Sequence, residues 1–405
     1  MEIIEKITTN KLVENQTEIQ KICLHKLQSS PLPNPKSELW RLSNKSKFSN
    51  LLDYSINEKD LKLDTPYPKN SQSTIRLIIG ENYQIKLIEE NYSIQQLSED
   101  ELDKFMKEQI SFFDQNENWS DLLNLSISCK KNILGLKING SKIPPIEIFS
   151  HSSTNSFNAK TLVIFLEKNC NIELLQVNLG KENSSLSQST FFFLEENSSL
   201  KHGVVSYGES GSNLLNSLNI IQQKNSEYKL GSLHFKFNYA RFEINIKQSE
   251  GSAKTKIKGM QITKKDEQIA TYTKIDFNGP NGFLDQINKS LADDKSHAIF
   301  EGSIIVPKIA QKTDASQLSR NLLLSSLAQI DTKPQLEIIA DDVKCKHGAT
   351  ISQLNEEELF YMRTRGITLA EASKLQLSSY FQEIISFIPV SKDRWDLLDK
   401  LLNEN

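Results

Sequence analysis

Between about residue 125 and residue 340 the apolar residues fall in short alternations separated by Asn, Gly and Ser, the pattern of strands and turns. In GSLHFKFNYARFEINIKQ, Leu233, Phe235 and Phe237, then Phe242, Ile244 and Ile246, recur at period two, as on strands with one buried face. The pentapeptide ENSSL stands at Glu182–Leu186 and again at Glu196–Leu200, an offset of 14 residues. Similar polar-turn-then-leucine passages occur in SGSNLLNSL and SEYKLGSL. Repetition of this kind predicts stacked strand-turn units, as in a parallel β-helix, where each coil buries its inward face against its neighbours. An antiparallel sandwich would also give many short strands, and the repeat favours the solenoid.

The period is helical on either side. Ile3, Ile4, Ile7, Val13, Ile19, Ile22 and Leu27 stand among charged and amide residues, until three prolines in SSPLPNPKSELWRLS open a loop. In SEDELDKFMKEQISFFD, Ser98 precedes acidic first-turn residues, and Leu102, Phe105, Met106, Ile110 and Phe113 form a stripe. After residue 350, Asn355 and Glu358 resemble a capping box, and Gly366 stands where a left-handed cap would end the helix. Thr368 and Glu371 make a second box, opening a helix with Leu377, Tyr380, Phe381, Ile384, Ile385 and Ile388 on one face and Pro389 at its end. A third stretch, SKDRWDLLDKLLNEN, groups Trp395, Leu398 and Leu402. So wide an apolar surface must pack on the chain's own solenoid or on a partner. The expected organisation is a mainly helical region over 1–125, a β-helix core over 126–350 and a helical domain over 351–405.

Composition narrows the function classes. The chain has 405 residues, 38% hydrophobic and 24% charged, with a formal net charge of -3. That balance fits a globular protein and supplies no global attraction to nucleic acid or an anionic membrane. No segment is long and apolar enough to span a bilayer. The start, MEIIEK, lacks the basic and apolar runs of a secretory signal, and Cys23, Cys129, Cys170 and Cys345 are too scattered for a zinc knuckle or a redox pair. The expectation is a cytoplasmic protein with reduced thiols.

Chemistry concentrates at KCKHGAT. Cys345 and His347 would project from one face of a strand, and thiolate and imidazole are both ligands for iron and zinc. Lys344 and Lys346 would favour the thiolate. Two ligands do not close a site, however, and a buried structural cysteine beside a hydrogen-bonded histidine is the plainer alternative. Asp341 and Asp342, as neighbours on a strand, would point to opposite faces and act poorly as a pair. The other histidines lack ligand spacing, and no Walker A, GxGxxG or GxSxG motif occurs, so any ATP hydrolysis belongs to another chain.

The passages TDASQLSRNLLLS, PQLEIIADDVKCKHGAT and FYMRTRGI, within a collinear match over about residues 297–388, resemble the SufB/SufD family of iron-sulfur cluster assembly scaffolds, in its SufD branch. SELWRLS at Ser37–Ser43 is similar to an E-x-W-R passage near the family's amino terminus. The resemblance implies a mainly β fold: a right-handed parallel β-helix between a helical amino-terminal region and a small helical carboxy-terminal domain. It implies pairing with a SufB-like subunit and docking of a SufC-like ATPase on the helical domain, or a homodimer when the chain is isolated. A transient Fe-S cluster would be shared with SufB at the junction, with ATP used only by the ATPase. His347 falls on the family's proposed cluster ligand and Cys345 on its neighbouring thiol. Gly348 replaces a carboxylate, and no cysteine stands near Ser319, where SufB-like chains carry one. Both departures imply a non-catalytic scaffold subunit. The candidate ATPase-docking region holds Phe360, Tyr361, Arg363, Arg365, Gly366, Tyr380, Phe381 and Ile384. A polysaccharide-acting β-helix enzyme is the alternative from another class.

Overall fold

The computed structural model describes residues 18–29, 38–51, 55–56, 74–79, 83–86, 94–98, 100–102, 104, 133–140 and 142–404. Expectations for Ile3, Ile4, Ile7, Val13, Phe105, Met106, Ile110, Phe113 and Cys129 lie outside the described residues.

Asparagine sets the rhythm of the chain. Asn155, Asn169, Asn183, Asn197 and Asn225 have φ between 49° and 60°, and Gly211, which fills the missing step of that series, has φ 70°. Asn and Gly tolerate the left-handed region at least cost, so each marks a corner where the strand direction turns. Serines near these corners fold back on them: the hydroxyls of Ser184, Ser198, Ser212 and Ser226 each donate to the carbonyl three residues earlier at 2.6–2.7 Å. Asn225 donates to Asn197, and Asn197 to Asn169, at 3.2 and 3.3 Å, tying successive coils along one edge. The 14-residue repeat is therefore one strand plus one corner, half of a coil.

Two such halves make a turn, and the chain forms a parallel β-solenoid of about 8 turns. From Ile133 to Ser352 the strands alternate between two ten-stranded sheets, so each pairs with the strand two places away in sequence. Asn213–Gln222 lies between Ser185–Leu194 and Tyr239–Gln248, all parallel, with Leu218 in register with Thr190 and Ile244. Amino-terminal strands Ser55–Ile56, Ile75–Ile79, Tyr83–Lys86 and Ile94–Gln96 join the same sheets, alongside helices α1 (Glu18–Ser29) and α2 (Lys45–Asn50). Ser98 and Glu101 form the expected reciprocal cap, the hydroxyl accepting from the Glu101 N–H at 3.4 Å and the carboxylate accepting from the Ser98 N–H at 2.8 Å.

The space between the sheets is apolar along one side, with Leu174, Leu230, Ile244, Ile257 and Ile275 among its buried residues. Elsewhere buried side chains are polar and bonded across the interior, as Gln317 is to Gln286 at 3.0 Å and Gln286 to Thr273 at 3.0 Å. The alternating residues Leu233, Phe235, Phe237, Phe242, Ile244 and Ile246 are all buried, as expected. Ile244 and Ile246 pack in the interior between the sheets, whereas Leu233 and Phe235 lie on a face that helices cover. α3 (Glu356–Thr364), α4 (Leu369–Ile385) and α5 (Leu397–Glu404) form the terminal unit. Phe381, Ile384, Ile388, Leu397 and Leu401 pack with Leu233, Phe235, Met260 and Ile262. Thr368 and Glu371 make a complete capping box, Asn355 accepts from the Glu357 and Glu358 N–H groups, and Gly366 has φ 87°. In α5 the buried pair is Leu397 and Leu401, one residue out of phase with the expected Leu398 and Leu402.

Two charged pegs fasten the covers. Glu147, 1% exposed, accepts from two nitrogens of Arg76 at one carboxylate oxygen, at 2.8 and 2.9 Å, and forms an ion pair with Arg394 of the terminal unit through the other. On the opposite sheet Arg241, also 1% exposed, lies between the rings of Trp40 and Tyr272 at 3.8 and 3.7 Å and donates to Glu243 at 2.6 Å. Trp40 belongs to the SELWRLS passage, which thus packs on the solenoid's flank.

Candidate functional site

The last coil is open. Gln329–Ile338 ends one sheet and Lys344–Ser352 the other, and each pairs with a strand on one side only among the described residues. Pro334, which has no N–H to give to a ladder, is accommodated because its strand is an edge. In the preceding strand Ala315, Gln317, Ser319 and Asn321 are buried. Their register partners in Lys344–Ser352 are Cys345, His347, Ala349 and Ile351, so these four continue the file. Among the described residues no further coil covers them, and His347, Ala349 and Ile351 are exposed. A solenoid end without a polar cap leaves such a face for something else to bury.

Cys345 and His347 share that face, about 7 Å apart at the rise of a strand. Cys345 is half-buried against the apolar interior. Burial pushes its thiol up, Asp314 acts in the same direction, and a hydrogen bond with the Ala315 backbone opposes both. Lys344 and Lys346, expected to favour the thiolate, are exposed and alternate with Cys345 along the strand, so burial and Asp314 set the direction instead. Asp341 and Asp342 occupy the bend before the strand, both exposed, where the Asp342 backbone meets Gln311 and Lys312. Among the described residues no three His, Cys, Asp or Glu side chains gather as metal ligands. What the open coil offers chemically is one imidazole and one thiol on a shared strand face.

The eight residues of the candidate docking region divide. Phe360 and Tyr361 are 68% and 60% exposed on α3, Arg363 and Arg365 are exposed, and Gly366 follows them at the cap. Phe381 and Ile384 are fully buried on the chain's own sheet, and Tyr380 is half-buried, its hydroxyl donating to the Arg320 carbonyl at 2.5 Å. These three fasten α4 to the solenoid, and Phe381 and Ile384 leave no surface exposed there.

Sequence reasoning missed the apolar rim of the open coil: Leu327 at 65%, Ile338 at 41%, Ile339 at 58% and Ile351 at 47% exposed. The signal was available in Glu337–Ile338–Ile339–Ala340, where two adjacent isoleucines break the period-two alternation as the edge strand Gln329–Ile338 ends.

The geometry defines a class by its fold, a long parallel β-solenoid with helices on its flanks and an open edge coil that carries Cys345 and His347. Residues 149–380 match the family model described as SUF system FeS cluster assembly, SufBD core domain, and the chain belongs to that family. An iron-sulfur cluster assembly SufBD family protein of Synechocystis is 41% identical over 152 residues, 38% of this chain and 34% of the relative. Iron-sulfur cluster assembly protein SufD of Escherichia coli is 40% identical over 131 residues, 32% of this chain and 30% of the relative. SufD of Plasmodium falciparum is 31% identical over 160 residues, 39% of this chain and 10% of the relative. The match thus spans about a third or less of each relative's own length.

Proposed function

We propose that this chain is the SufD-type scaffold subunit of a Suf assembly, pairing through its open coil with a SufB-like subunit and carrying a SufC-like ATPase on its terminal helices. The observation that carries the reading is the uncapped end of the solenoid, where exposed His347 stands beside Cys345 in the register of a buried file and is flanked by exposed isoleucines. An edge strand adds a partner's strand through its unpaired backbone groups, and the apolar rim supplies area to bury. The nascent Fe-S cluster is cargo at that junction. His347 supplies one imidazole, Cys345 supplies a secondary ligand once a metal displaces its proton, and the partner supplies the rest. Exposed Phe360 and Tyr361, with Arg363 and Arg365, form the ATPase-docking patch, an aromatic and arginine combination typical of binding hot spots. In functional terms the chain then divides into the amino-terminal region 1–125, the solenoid 126–350 and the docking unit 351–405, with no chemistry performed by this chain alone and a cytoplasmic setting.

Co-expression with SufB-like and SufC-like chains is the test. The expected outcome is one complex that elutes together on gel filtration. Replacing Ile339 and Ile351 by Lys should release the SufB-like chain while the ATPase stays bound. A chain that remains monomeric beside both candidates would overturn the reading.

A further inference from the structure

A row of polar side chains runs through the solenoid interior toward the open coil. The Gln286 amide nitrogen donates to the Thr273 hydroxyl at 3.0 Å, and the Gln317 amide nitrogen donates to the Gln286 carbonyl oxygen at 3.0 Å. Gln286 and Gln317 are register partners on adjacent strands, and both are fully buried. Space for the second amide comes from Gly302, on the strand His297–Val306 of the other sheet, where a Cβ would collide with the amide nitrogen and carbon of Gln317. An amide that gives its N–H to the coil before it has its carbonyl oxygen left for the coil after it.

The row stops one step short of the end. Gln317 Oε1 is buried and has no hydrogen-bond partner among the described residues. The next register partner is His347, related to Gln317 by the same strand-to-strand step that relates Gln317 to Gln286. A buried carbonyl oxygen left unmet is costly, and a neighbouring N–H removes that cost. Neutral imidazole carries one N–H, on Nδ1 or on Nε2. Side chains in register rise side by side from a strand face, so contacts between them are lateral. Nδ1 lies at the base of the ring, beside such a neighbour, and Nε2 lies at the tip. Cys345 is in register with Ala315 and so stands outside the row.

We infer that Gln317 is a positioning residue for His347: its carbonyl oxygen accepts the Nδ1 N–H, which fixes the tautomer and leaves the Nε2 lone pair facing out of the open coil. The hydrogen bond is a property of this chain alone. Its use rests on the proposed role of His347, because a metal takes an imidazole at its unprotonated nitrogen. A ring held in this way is a more basic ligand and meets the partner with its orientation already chosen.

NMR of the ring nitrogens in the full chain, labelled at histidine, tests it in mildly alkaline buffer, where imidazole is neutral. The signals lost in His347→Ala assign His347. Its Nδ1 is expected at the protonated, pyrrole-type shift and its Nε2 at the unprotonated, pyridine-type shift, the reverse of the tautomer that free histidine prefers in water. Gln317→Met keeps the side-chain length and removes the acceptor, so it should return His347 to the free-histidine pattern. The ring signals of His297 should stay in place, since Asp331 and Gln268 hold that ring at 2.7 and 2.9 Å. A wild-type His347 protonated mainly on Nε2 would overturn the inference, and that spectrum decides the matter even if the variant does not fold. So would a folded Gln317→Met chain whose His347 keeps its proton on Nδ1. Either result leaves the scaffold reading standing, because that reading falls only if co-expression yields no complex.

Discussion

Phe381→Ala is expected to destabilise the chain by about 3–5 kcal/mol, whereas Phe360→Ala is expected to change stability by less than about 0.5 kcal/mol. The two phenylalanines stand on neighbouring terminal helices and were equal candidates for a docking role in the sequence. Phe381 is fully buried among Ile384, Leu233 and Met260, so its removal leaves a cavity under α4; Phe360 is 68% exposed and leaves none. Urea denaturation of both variants measures the difference. On the proposed reading the ranking inverts in a binding assay, where Phe360→Ala weakens the ATPase contact. Equal stabilities would mean that α4 is not held on the solenoid by this cluster.

Glu147→Ala should cost a comparable amount, about 3–5 kcal/mol, although it removes only a short side chain. The carboxylate is 1% exposed and faces two guanidinium groups, Arg76 and Arg394, whose side chains are 17% and 18% exposed. Removing it takes away the buried carboxylate that both cations face, and burial already pushes Arg394 down, with Arg76 acting in the same direction. Because Arg394 belongs to the terminal unit, the loss should expose that unit first. Hydrogen exchange rising over 369–404 before the solenoid strands checks the assignment, and a loss below about 1 kcal/mol would mean that the cluster is screened as a surface pair would be.

Local chemistry in the sequence foretold much of this fold. The ENSSL repeat gave strand plus corner because Asn at each corner accepts the left-handed conformation, and Thr368 with Glu371 gave the helix start because the cap is built within four residues. Contacts between distant residues were not legible. Nothing near Glu147 announces Arg394, and nothing near Arg241 announces Trp40, since a solenoid brings flanking segments to outward positions that no local period encodes. The amphipathic face of α4 was visible, but what it faces was not, and its burial on the chain's own sheet removes Tyr380, Phe381 and Ile384 from the proposed docking surface. The pair at the last coil, Cys345 and His347, was visible in the sequence; the exposure of His347 follows only from the fact that the strand is an edge.

The central claim, that His347 serves a cluster built between subunits, is tested most directly by iron and sulfide content per complex after anaerobic reconstitution with SufB-like and SufC-like chains. With His347→Ala the account predicts an intact complex whose iron and sulfide fall about tenfold or more, the scale on which metal sites weaken when ligation is impaired. An intact complex with unchanged iron and sulfide would contradict it.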